Sequence, residues 1–193
     1  IVIGANAMQD GNAYNVVIIG SKAGLINNGD RNIFIGANAG SRNIESTDNV
    51  VIGSNAGVSL IGNGIIGDNI LIGFSSGEKL QSGTNNIYIG SRSGKNTVES
   101  INNIIIGTNA MNNGNANEVV IIGNNAGLNN NADGNIFIGS NTGIHNINGE
   151  RNIFIGLNTG SNNINSPDNV IIGSNAGVSL IGTGLEGDNI LIG

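Results

Sequence analysis

Three-residue blocks of β-branched and long aliphatic residues recur along the whole chain, and each is closed by a glycine. The first four read Ile1-Val2-Ile3-Gly4, Val17-Ile18-Ile19-Gly20, Ile33-Phe34-Ile35-Gly36 and Val50-Val51-Ile52-Gly53, and the last reads Ile190-Leu191-Ile192-Gly193. Between the blocks the chain is polar and rich in asparagine, glycine and serine, all turn formers. A block of three is too short for a helix, so each one predicts a short strand bounded by turns. With the block-closing glycine as position zero, copies follow at Gly4, Gly20, Gly36, Gly53, Gly73, Gly90, Gly107, Gly123, Gly139, Gly156, Gly173 and Gly193. Successive glycines lie 16 or 17 residues apart, with two spacings of 20. Each unit reads as strand, turn, weaker strand, turn.

A fixed short period that fills the chain predicts stacked units rather than a packed globule. The expected fold is all-β: a β-solenoid, or parallel β-roll, of twelve rungs with about 16–17 residues each. At ~4.8 Å per rung the rod would be roughly 55 Å long. Residues 1–193 form one repetitive segment, read as part of a longer fibre protein. A seven-rung super-repeat spans 54–173, and the 20-residue rungs fall at 54–73 and 174–193. Segment 48–73 returns almost unchanged as 168–193.

Strand residues alternate between two faces, so the block residues divide into two ladders. The column at −1 is isoleucine throughout: Ile3, Ile19, Ile35, Ile52, Ile72, Ile89, Ile106, Ile122, Ile138, Ile155, Ile172 and Ile192. Together with the Ile/Val column at −3 it is assigned to the structural core. The residue between them, at −2, is then expected on the outer face. It is apolar in every copy: Val2, Ile18, Phe34, Val51, Leu71, Tyr88, Ile105, Ile121, Phe137, Phe154, Ile171 and Leu191. An exposed apolar ladder of that length exceeds what soluble monomers leave open, so it is assigned to oligomer contacts. The expected partner is the chain itself, in parallel, with a trimer as the expected number; the ladder alone would serve a dimer or a sheet-like assembly equally well.

Other columns fit a tight roll. Position +3 is small, as at Ala7, Ala39, Ser76 and Thr142, and +4 is glycine except at Met8 and Met111. Ile44, Val98, Ile147 and Ile164 at +8 suggest a second aliphatic anchor. Asparagine at −4, as in Asn32, Asn86, Asn135 and Asn189, suggests stacked amides that satisfy turn backbones.

Composition narrows the chemistry. There is no cysteine, which removes disulfides, thiolate metal sites and a cysteine nucleophile. A net charge of −6 with seven basic residues argues against nucleic acid, and no apolar run is long enough to span a membrane. His145 is the single histidine and sits in a variable loop, where it reads as a solvated residue. Asp48, Asp68, Asp168 and Asp188 at −5, with Asp30, Asp133 and Glu150 at −6, could ring a calcium ion or pair as glycosidase carboxylates. Recurrence in the repeat and the adjacent Arg31 and Arg151 favour turn residues bonding their own backbone. No catalytic, cofactor or metal residue is therefore assigned, and no cofactor is expected. Threonines are scattered over several columns, against an ice-binding ladder, and loop aromatics that could stack on sugars are limited to Tyr14 and Phe74.

The string Asn32-Ile33-Phe34-Ile35-Gly36-Ala37-Asn38-Ala39-Gly40 resembles the head repeats of YadA-like trimeric autotransporter adhesins. It is equally similar to Ile-Gly-x-x-Ala-Gly arrays in the shafts of phage and viral tail-fibre proteins. The resemblance covers all twelve units, although the adhesin repeat is typically shorter than the unit here. It implies a trimer of parallel β-rolls that is extracellular, on a cell surface or borne on a virion, and that holds out a receptor-binding tip or adheres directly. The hexapeptide β-helix of acyltransferases fits less well, because position +5 varies from Leu25 to Lys95 and Glu78. A non-enzymatic fibre shaft or head segment is thus the expected function, contacting a host-surface receptor or neighbouring fibres. Leu60-Ile61 and Leu180-Ile181 in the long rungs are candidates for a lateral ridge. The alternatives are a repeating subunit of an extracellular filament and, third, a tailspike-type polysaccharide depolymerase.

Overall fold

A computed structural model describes residues 1–62, 67–180 and 187–193. Among these the fold is an all-β parallel solenoid of about eleven turns without a helix. Each three-residue block forms a strand, from Val2–Ile3 and Val17–Ile19 to Ile190–Ile192, and all of them line up in one twelve-stranded parallel sheet in rung order. Register is exact along the columns: Phe34 pairs with Val51, Leu71 with Tyr88 and Phe137 with Phe154. The weaker second strand is regular only in places, at Ile26–Asn27 with Arg42–Asn43 and at Asn162–Asn163 with Ser179–Leu180. Elsewhere on that side single inter-rung backbone bonds continue the lacing, such as Gly77 N–H to Ser93 O and Asn129 N–H to Ile144 O.

The two faces are the reverse of the expected assignment. The −2 ladder is the core: Ile18, Phe34, Val51, Leu71, Tyr88, Ile105, Ile121, Phe137, Phe154 and Ile171 are completely buried, with Val2 and Leu191 more open on the end rungs. The −1 ladder (Ile3, Ile19, Ile35, Ile52, Ile72, Ile89, Ile106, Ile122, Ile138, Ile155, Ile172 and Ile192) and its mates at −3 lie on the outside, most of them half-buried by their neighbours along the sheet, with Ile104, Ile138 and Ile172 and the end-rung residues exposed. The physical reason is the width of the coil. A turn of 16 or 17 residues encloses room for one large side chain per strand, and the strand must send its other two outward. The full burial of ten such side chains, each worth about 1.5–3 kcal/mol, makes this column the main apolar stabiliser. Phe137 and Phe154 stack within it at 5.1 Å between ring centroids.

Two further expectations change with the faces. The +8 residues are not an interior anchor, since Val98 and Ile164 are exposed and Ile44 and Ile147 half-buried; the inward position is +7. Leu60 occupies that inward column and is buried, so it forms no ridge, while Ile61 at +8 is half-buried; the side chain of Leu180 lies outside what is described. Ile181 and Gly182 of the second long rung, and the extra residues of both, lie outside the described residues.

Positive φ angles pace the coil. In each complete rung the residue at −5 is left-handed, as at Asp48 (φ 61°) and Arg151 (φ 55°), and so is +2, as at Asn38 (φ 57°). The zero position shows why it must be glycine. Gly90 has φ 133°, and a Cβ there would stand 2.5 Å from the carbonyl oxygen of Gly107 in the next rung. At +4, a Cβ on Gly94 would meet the Tyr88 ring at 2.5 Å.

Candidate functional site

Two arrangements of side chains recur along the rod: buried amide ladders inside and an aliphatic sheet face outside. The inner ladder begins with asparagine at −4, which follows −2 onto the inward side by strand alternation. Asn49 Nδ2 donates to Asn32 Oδ1 at 3.0 Å, Asn69 to Asn49 at 2.9 Å and Asn86 to Asn69 at 3.0 Å. Each Oδ1 also accepts the backbone N–H of the next asparagine in the column, as from Asn49 N to Asn32 at 2.8 Å. The remaining Nδ2 hydrogen reaches a turn carbonyl, such as Ser100 O from Asn86 at 2.7 Å. In the −4 column the buried amide atoms thereby all find partners, which is what makes their burial tolerable.

A second inner ladder, at +7, is shorter. Asn43 donates to Asn27 at 2.6 Å, and Asn163 to Asn146 to Asn130 at 2.9 and 2.6 Å. It stops where the next residue in the column is Leu60 or Leu180, and there Asn43 Oδ1 and Asn163 Oδ1 are buried without a partner. Sequence reading missed this ladder because glycine, asparagine, leucine and threonine share the column.

The −4 ladder is interrupted at Val16 and Val119, and the interruptions are coordinated. The rung before each valine carries methionine at +4 and glycine at +7: Met8 with Gly11, and Met111 with Gly114. A Cβ on Gly11 or Gly114 would lie 2.9 or 2.8 Å from the methionine Cγ. The methionine thus fills the space of the absent +7 side chain, and Val119, Ala116 and Met111 form an apolar plug, all fully buried or nearly so. Val119 has no side-chain amide to pass the ladder on, although its N–H still donates to Asn103 Oδ1 at 3.0 Å and its carbonyl accepts the N–H of Ile104 at 2.9 Å.

Outside, further amides stack at +2, where Asn109, Asn125, Asn141, Asn158 and Asn175 are linked successively at 2.9–3.2 Å. At +6 a run from Asn96 through Asn113 and Asn129 ends on His145 Nδ1, 2.9 Å from Asn129 Nδ2. His145 is therefore an exposed member of a surface ladder.

The acidic positions do not converge. Asp30 Oδ1 accepts Tyr14 N–H at 2.7 Å and Asp133 Oδ1 accepts Asn117 N–H at 2.8 Å, so these carboxylates bond the backbone of a neighbouring rung rather than their own. Asp48 takes both Nε and Nη2 of Arg31 at 2.6 Å, and Asp168 is held likewise by Arg151 at 2.7 and 2.8 Å. The guanidinium hydrogen bonds hold both aspartate carboxyls below their ordinary range, and both arginines are correspondingly raised. Among the described residues no group of three His, Asp or Glu side chains is placed to hold a metal ion. A concavity of about 520 Å³ lies over the last rung, between Ser174–Gly177 and Ile190–Gly193, and no titratable side chain lines it.

Among the described residues the outer face is the one large apolar feature. Two columns of isoleucine and valine run side by side without a polar or charged residue in either. Ile104 and Ile138 in mid-sheet keep 37% of their surface. One flank is the −5 column, with Asp48, Asp68, Glu118, Asp168 and Asp188 against Arg31 and Arg151; the other, at +1 and +2, has no carboxylate and carries Lys22 and Arg92. No helix among the described residues is long and apolar enough to cross a membrane.

Comparison with known protein families, with curated proteins and with solved structures finds no match to this chain.

Proposed function

We propose that this chain is a non-enzymatic shaft or head segment of an extracellular or virion-borne fibre, a parallel homotrimer of the adhesin or tail-fibre kind, which supplies length and stiffness behind an attachment function. The observation that carries this reading is the unbroken in-register pairing of one strand per rung from the first rung to the last. Such a fold converts residues into length at a constant rate and has no hinge between its described rungs. Asparagines that bond both along the ladder and to the turns resist shear between rungs. Electron microscopy of the purified chain tests the reading: the expected particle is a stiff rod of roughly 55 Å at the usual strand spacing, lengthened in proportion when rungs are duplicated. A compact or bent particle would reject it.

The outer aliphatic face also supports a second reading, a subunit of an extracellular filament in which that face joins protofilaments. Concentration-dependent growth into long fibrils would favour it over a closed oligomer. A polysaccharide depolymerase ranks third; shortening of surface glycans by the purified chain is the result that would promote it.

A further inference from the structure

We propose that Asn28 is a site of covalent self-modification, at which the exposed side-chain amide leaves as ammonia and a carboxylate takes its place. Water is the co-reactant. Asparagine is a labile residue, and most so before glycine, which has no side chain to shield its nitrogen. The Gly29 N–H gives its proton to solvent base, and the nitrogen attacks Cγ of Asn28 within the same chain. The Cγ–Nδ2 bond breaks, ammonia leaves, and a five-membered cyclic imide remains. Water then opens one of the two C–N bonds of the imide. Cleavage at Cγ gives aspartate, and cleavage at the backbone carbonyl gives isoaspartate, whose main chain runs through Cγ.

Three such steps lie among the described residues, Asn28-Gly29, Asn113-Gly114 and Asn148-Gly149, and all three asparagines are exposed. The fold demands their glycines. A Cβ on Gly29 would run into the carbonyl oxygen of Ser46, and one on Gly114 into that of Asn130; on Gly149 it would stand 2.5 Å from Asn146 Oδ1 and Asn163 Nδ2. The ladder asparagines are built differently. Asn32 and its mates at −4 precede a branched residue whose N–H is bonded in the sheet, as Ile33 N–H to Asn49 O at 2.8 Å. Asn38 at +2 precedes Ala39, whose N–H is bonded to Gly36 O at 3.2 Å.

Hydrogen bonds separate the three exposed steps. Asn113 is tied at both ends of its amide, with Nδ2 donating to Asn129 at 3.2 Å and Oδ1 accepting from Asn96 at 3.0 Å, and the Gly114 N–H is bonded to Met111 O at 3.4 Å. Asn148 donates to Asn165 at 2.8 Å, while the Gly149 N–H has no partner among the described residues. Asn28 is the least tethered. Its Nδ2 and the Gly29 N–H both lack a partner among the described residues, and its Oδ1 accepts only the Asn12 N–H at 3.2 Å, which is shared with Asn27 O at 3.0 Å. The aspartate product fits the turn: it can accept the same N–H, as Asp30 does from Tyr14 and Asp133 from Asn117. It also makes the net charge of −6 one unit more negative. Isoaspartate adds a backbone atom beside Gly29, where even a Cβ has no room, so that product loosens the turn.

Peptide mass mapping tests this, on the folded chain held at mildly alkaline pH in heavy-oxygen water and on the same chain in urea, each quenched with acid before digestion. In urea the three steps should react at similar rates. In the folded chain Asn28 should stay within a few-fold of its urea rate, Asn148 should follow, and Asn113, which must first give up its amide bonds, should slow roughly tenfold or more. A folded chain in which Asn28 reacts no faster than Asn113 would overturn the proposal. Two variants, verified as folded by circular dichroism, check the cause. Asn28→Gln cannot close the five-membered ring and should leave its peptide without heavy oxygen. Asn96→Ala/Asn129→Ala frees the Asn113 amide and should raise the rate there severalfold; an unchanged rate would equally overturn the proposal.

Discussion

At the residue scale, the interior shows how far polar groups can replace an apolar core. Asn69 and Asn86 are fully buried and fully bonded, so their cost of burial is met by the ladder. Tyr88 is the exception in its column. Its hydroxyl is buried and makes no hydrogen bond; burial pushes its pKa up, more than the neighbouring Thr97, Ser100 and Asn103 pull it down. Phenylalanine stands at the same position in three other rungs. Tyr88→Phe is therefore expected to stabilise the fold by about 1 kcal/mol, read as a higher midpoint in urea; a loss of stability would mean that the hydroxyl is satisfied. Gly90→Ala should cost at least about 1–3 kcal/mol from its backbone conformation alone, with the clash against Gly107 in addition, and a melting temperature unchanged from the parent would contradict the packing described. The ion pairs are a different case. Asp48 and Asp168 are depressed in the folded state, so what they contribute is present above the ordinary carboxylate pKa and is lost as pH falls through the lower folded value. Both lie on the surface, where such pairs are weak. Asp48→Asn should lower the melting temperature slightly at neutral pH, and the difference should shrink as pH falls through the lowered folded-state value.

At the scale of the rung, period, strands and turns were legible in the sequence, whereas the direction of each strand's side chains was not. Alternation alone allows either parity, and counting isoleucines favours two columns inside. What breaks the tie is the width of the coil together with the company of −2. The aromatics within the blocks, Phe34, Tyr88, Phe137 and Phe154, occur only at −2, where bulk fills the interior. Its parity mate is asparagine at −4, and a buried polar column runs against the usual rule of polar outside. The +7 ladder stayed hidden for a related reason: its meaning depends on what the neighbouring rung places there. The plug at Met111, Gly114 and Val119 makes this dependence testable. Val119→Asn alone would set an amide beside Met111 and should destabilise by about 1–3 kcal/mol. Combined with Met111→Gly and Gly114→Asn, it extends both ladders through the plug. The combination should recover most of that loss, a coupling of about 0.5–3 kcal/mol in a mutant cycle. Additive effects would show that the three positions are independent.

At the scale of the whole molecule, reversing the two faces leaves the argument for association standing but relocates it. The −2 column, which alternation and composition place at contacts between chains, is the chain's own core, and the −1 and −3 columns are the ones that water meets. A single chain covers its −4 amides and the aromatics of its strand blocks; it does not cover the isoleucines at −3 and −1. Light scattering on the folded chain in solution tests this most directly. A mass that is a multiple of 19.5 kDa and holds on dilution is the expected result. A folded, soluble chain that stays at the single-chain mass over a wide range of concentration would contradict it.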